Sequence, residues 1–110
     1  ATSLRSLRSA SGSDISIQTY EPSELYRFEG AALLDLYTRM PSAEAFGRTV
    51  VEQVLIRQEE HANMFRLFTG KERYLHLLAT RPEIIQRVSL TQMASYIGIA
   101  RETLSRIRRP

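Results

Sequence analysis

The chain has no cysteine among its 110 residues. That excludes a disulfide framework, a thiolate nucleophile and a cysteine-held metal. Long apolar runs are also missing. No stretch approaches the roughly 20 residues of a membrane span, and no signal-peptide core is visible. A soluble, cytoplasmic protein with no membrane partner is expected. Histidine is sparse, with two residues: His61 follows Glu59 and Glu60 but lacks the Glu-x-x-His spacing, and His76 has no acidic or cysteine neighbour at ligand spacing. No glycine-rich loop could cradle a phosphate. With these parts absent, the sequence argues against an enzyme and implies no cofactor.

What is present is an uneven spread of charge. The net charge is a modest +3. Ala1 to Gly70 holds seven basic and nine acidic residues, whereas Lys71 to Pro110 holds eight basic and three acidic. The C-terminal part therefore carries the electrostatic footprint expected of a nucleic-acid binder.

Within it lies Leu90 to Arg109, LTQMASYIGIARETLSRIRR. This stretch reads as two short helices joined at Gly98, since glycine reaches positive φ without steric cost. Met93, Ala94 and Ile97 share one side of the first helix, and Ile99 follows the glycine as an apolar plug. Leu104 and Ile107, three apart, form an apolar edge on the second helix, next to Thr103. The pattern is that of a helix-turn-helix. Opposite the apolar edge stand Arg101, Glu102, Ser105 and Arg106, the side chains that a groove-entering helix presents to base edges. Arginine can grip guanine O6 and N7 with two hydrogen bonds, and glutamate can accept from the cytosine amino group.

The stretch TQMASYIGIARETLSRI resembles the helix-turn-helix of the Crp/Fnr transcription regulators. KERYLHLL, RPEIIQRVSLTQMASYIGI and LSRIRR resemble in particular the shorter-tailed members found in Bacteroidetes-like bacteria. The resemblance runs from about Ile15 onward and is most specific after Lys71. It implies that Arg101, Glu102, Ser105 and Arg106 contact bases and that a dimerisation helix precedes the DNA-binding domain. It also implies a homodimer on double-stranded DNA, with RNA polymerase as a further partner. One departure is Ala100, where the family usually has a Ser or Thr N-cap; a backbone N–H there must find phosphate or water.

The rest of the chain fits around this unit. Ala1 to Ser13 has no sustained period and reads as a poorly ordered end, with Leu4 and Leu7 the weak mark of a single helical turn. ISIQTY (15–20), with Ile15 and Ile17 alternating with polar residues, reads as a strand, and LYRF (25–28) as a second short one after the Glu21-Pro22-Ser23 turn, a hairpin that alone is marginal in water. In the resembled family such a hairpin ends a ligand-binding β-roll whose phosphate-binding turn lies upstream. Nothing in 1–13 matches that turn, so the chain is expected to begin partway through the sensing domain and not to bind a cyclic nucleotide.

Gly30 to Met40 reads as a short helix with Leu33, Leu34 and Tyr37 on one side, stopped by Pro41. Ser42 then serves as N-cap for a long helix to about Phe68. Its apolar side would form a dimer seam of Phe46, Val50, Val54, Gln58, His61 and Phe65. Gln58 and His61 fit polar residues that fix register in a seam. A metal site is the lesser reading, because Glu-x-x-His would need glutamate at Gln58. Thr69 with Glu72 and Ser89 with Gln92 have capping-box spacing. The first opens a helix with Tyr74, Leu75 and Leu78 inward, and Gly70 reads as a hinge beside it. Pro82 suits the first position of a short helix, PEIIQR.

The expected fold is mainly α. A residual β-hairpin of a truncated cyclic-nucleotide-binding-like β-roll occupies 1–41, the dimerisation helix 42–69 and the helix-turn-helix domain 70–110, winged-helix-like with the presence of a wing left open. Lys71, Arg73, Arg108 and Arg109 are the candidate phosphate contacts, which position without specifying. The competing class is a helical dimerisation or protein-interaction module whose basic end is only solvated.

Overall fold

The computed structural model describes residues 3–109. These residues hold seven α-helices and no β-strand. They are α1 (Leu4–Ser9), α2 (Gly30–Arg39), α3 (Pro41–Leu67), α4 (Gly70–Thr80), α5 (Pro82–Arg87), α6 (Leu90–Ile97) and α7 (Arg101–Arg108). The mainly helical reading holds; the hairpin does not form. Residues 14–29 are exposed throughout, with Ile15, Ile17, Tyr20, Leu25, Tyr26 and Phe28 all open to solvent. Two strands with no third strand or helix beneath them lack the burial that would offset their ordering.

Two compact units divide the chain, Ala1–Val54 and Leu55–Pro110, and the boundary falls inside α3. In the first unit, Leu4 to Ser9 forms a real helical turn, its N-terminus capped by the Ser3 hydroxyl, which accepts from the Ser6 amide at 3.4 Å. Pro41 ends α2 and begins α3, because the Met40 carbonyl already accepts from the Glu44 amide. Ser42 is therefore inside the helix and is not its cap. Gly47 is buried beneath Tyr37 of α2: a Cβ there would lie 2.7 Å from the tyrosine hydroxyl. Glycine lets these two helices approach.

In the second unit, Met64, Leu77, Met93, Ala94, Ile97 and Leu104 form a buried core. Phe68, Tyr74, Ile85, Val88, Leu90 and Ile99 pack around it, half buried. Helix α4 is its centre, touching α5, α6 and α7, while α6 and α7 pack on each other. The buried residue of α4 is Leu77, not Leu75 or Leu78, both of which are exposed. Pro82 occupies the first turn of α5 as expected, its missing N–H costing no helical bond there.

Candidate nucleic-acid interface

The interface is built on how α6 ends and α7 begins. Ser89 and Gln92 close the start of α6 reciprocally: the Ser89 amide donates to the Gln92 side-chain oxygen at 2.8 Å, and the Gln92 amide donates to the Ser89 hydroxyl at 3.2 Å. At its other end Gly98 takes the left-handed conformation, φ 68° and ψ 43°. The Gly98 amide donates to the Ser95 carbonyl and the Ile99 amide to Ala94, at 3.3 and 3.0 Å. This is the Schellman arrangement, and it satisfies carbonyls that a helix end leaves open. A Cβ on Gly98 would also run into the ring edge of Phe65. Glycine is required here twice over.

The turn delivers α7 with Leu104 fully buried and Thr103, Ser105 and Ile107 half buried. Arg101, Glu102, Arg106, Arg108 and Arg109 are exposed. Among the described residues no carboxylate pairs with an α7 arginine. Arg106 makes one long hydrogen bond to the Thr103 hydroxyl, 3.4 Å. All four candidate base contacts, Arg101, Glu102, Ser105 and Arg106, line one open depression of about 270 Å³, with Leu90 and Arg109 completing its wall. The sequence pattern found these residues because helical period alone places them together. Leu90 was not singled out, since its role depends on α6 lying beside α7.

No family model, curated protein or solved structure matches the chain.

The first turn of α7 has no side-chain cap at Ala100. Its early backbone N–H groups point out of the helix start, where the dipole favours negative charge. Glu102 lies in that turn, and Arg106 and Arg108 lie in the last. Both placements suit the helix dipole.

The candidate phosphate contacts divide. Lys71, Arg108 and Arg109 are exposed. Arg73 is half buried and already engaged. Its Nε donates to the Phe68 carbonyl at 3.0 Å and one Nη to the Ile97 carbonyl at 2.9 Å. The guanidinium carbon stands 4.4 Å from the centroid of the Phe65 ring. Its role is to tie helix ends together. Nothing in the sequence could show this, because the second carbonyl is 24 residues away. Gly70 is likewise no open hinge: Thr69 and Glu72 form a full capping box there, and a Cβ on Gly70 would meet Ile99 at 2.7 Å. Hydrogen bonds from the Thr69 amide and then the Thr69 hydroxyl hold the Glu72 carboxyl below its usual 4.5.

The candidate seam divides too. Phe46, Val50, Val54 and Gln58 are exposed along α3. Phe65 instead packs against Gly98 and under Arg73. His61 stands between aromatic rings, 5.1 Å from Phe65 and 4.6 Å from Tyr96, with its Nδ1 buried and unpartnered. His76 is exposed, its ring 5.2 Å from that of Phe68. Among the described residues no helix is long and apolar enough to cross a membrane.

Proposed function

We propose that this chain is a sequence-specific DNA-binding transcription regulator that acts as a homodimer in the cytoplasm. Helix α6, the Gly98 turn and α7 would form its helix-turn-helix. The observation that carries the reading is the division of α7. One edge is anchored by Leu104 in the core, and the opposite edge leaves unpaired arginines and Glu102 around an open depression. A module that docked a protein partner through α7 would have no reason to keep that face polar and free of bulky apolar groups. The likeness of TQMASYIGIARETLSRI to Crp/Fnr regulators supports the same reading, and it brings RNA polymerase with it as a further partner.

In this function Arg101, Glu102, Ser105 and Arg106 read base edges in the major groove, while Lys71, Arg108 and Arg109 hold phosphates. Two copies of α7 related by a two-fold axis would enter successive major grooves about 34 Å apart. Selection of bound sequences from random duplex DNA tests this directly. An inverted repeat with half-sites one helical turn apart is the expected product. Binding that enriches no sequence would sink the reading.

The exposed apolar residues of α3 favour a second reading, a helical interaction module without DNA readout. Phe46 is 72% exposed and Val54 48%. Such a module would associate through α3 but return no enriched DNA sequence.

A further inference from the structure

Arg73, on α4, commits its guanidinium to two backbone carbonyls. Phe68 directly follows α3, and Ile97 is the last residue of α6. Both carbonyls lie at helix C-termini, where the macrodipole leaves partial negative charge. A single planar fork thus satisfies the ends of two helices from a third, α4. Phe65 fills the space beneath the fork and touches Gly98, so the last turn of α3, the guanidinium and the turn before α7 form one packed stack. The His61 ring, 4.6 Å from that of Tyr96, makes a further contact between α3 and α6, and Arg73 adds hydrogen bonds to the ends of both helices.

We propose that Arg73 is a positioning residue: it locks the end of α3 to the Gly98 turn and thereby fixes the direction in which α7 projects. The proposal rests on the DNA-binding reading for its consequence. In a dimer joined along α3, a fixed α7 means a fixed distance between the two reading helices, so Arg73 sets the tolerance for half-site spacing. Lysine could keep the charge but has no fork to reach both carbonyls.

Two measurements on the full chain test it. The first uses the absence of native cysteine: Glu59→Cys on α3 and Arg108→Cys on α7 carry spin labels, diluted into unlabelled protein. The distance distribution should be narrow with Arg73 and broaden in Arg73→Gln and Arg73→Lys, but not in the control Arg66→Gln. An unchanged width in a folded Arg73 variant overturns the lock; if the Gln variant does not fold by circular dichroism, the Lys variant decides.

The second measurement, on unlabelled protein, compares duplexes holding one half-site with inverted repeats of varied spacing. Arg73→Lys should keep its affinity for the single half-site. Its preference for the best spacing over one base pair longer or shorter should fall by roughly tenfold. An equal loss on every duplex, with spacing preference intact, overturns the spacing role. If the wild type selects no sequence at all, the DNA reading fails and the label distances alone decide whether the lock exists.

Discussion

Gly98 carries two demands on one backbone atom: a φ of 68° and the Phe65 ring against its Cα. Alanine would add left-handed strain and an overpacked contact together. Gly98→Ala should lower stability by roughly 2–4 kcal/mol, measured by urea unfolding. A loss near zero would mean that the turn relaxes freely. Glu102 poses a different question, since its charge repels phosphates on an otherwise basic edge. A first-turn carboxylate interacts favourably with the helix dipole by about 0.3–1 kcal/mol, which is one reason for it. Base readout is the other, and Glu102→Gln separates them. If Glu102 accepts from a cytosine amino group, the variant should lose roughly 1–3 kcal/mol of discrimination at one base pair per half-site. Affinities across a series of duplexes varied at each position measure this. A uniform rise in affinity with preference unchanged would leave Glu102 a structural role only.

The elements that the sequence disclosed are those held by near neighbours. Both capping boxes, Thr69 with Glu72 and Ser89 with Gln92, bridge three residues and are readable from spacing. The α6–α7 core positions Met93, Ala94, Ile97 and Leu104 are readable from helical period for the same reason. What stayed hidden depends on distant partners. Leu77 rather than Leu75 is buried because α6 and α7 lie on that side of α4. Ile15 and Ile17 alternate as a strand would, but alternation cannot supply the partner strands that would bury them. Arg73 looked like a phosphate ligand because its carbonyls lie in other elements. One consequence of the local boxes is pH dependence. Folding lowers the Glu72 pKa below its usual 4.5. The stability this gives is therefore complete above that value and is lost as pH falls through the lower folded one. Wild type and Glu72→Gln should differ in urea midpoint at neutral pH and converge in acid. A gap that stays constant through acid would assign the difference to shape instead of charge.

Across the whole molecule, α3 is the feature both units share, its first half beside Tyr37 and its last turns in the core with Met64. Between them, residues 48–60 are exposed on every side. If two copies pair along α3 as proposed, Val54 lies at the middle of the apolar seam. Val54→Glu would place an unpaired carboxylate there, at a cost on the order of several kcal/mol. Sedimentation should show the wild type at twice the chain mass and the variant at one; equal masses would mean that the seam lies elsewhere. The same bare stretch bears on how the protein melts. A helical segment of this length is marginal in water without packing. If a second copy supplies that packing, folding and association become one equilibrium. The melting temperature is then no constant of the chain. It rises with protein concentration, and dilution alone loosens the middle of α3.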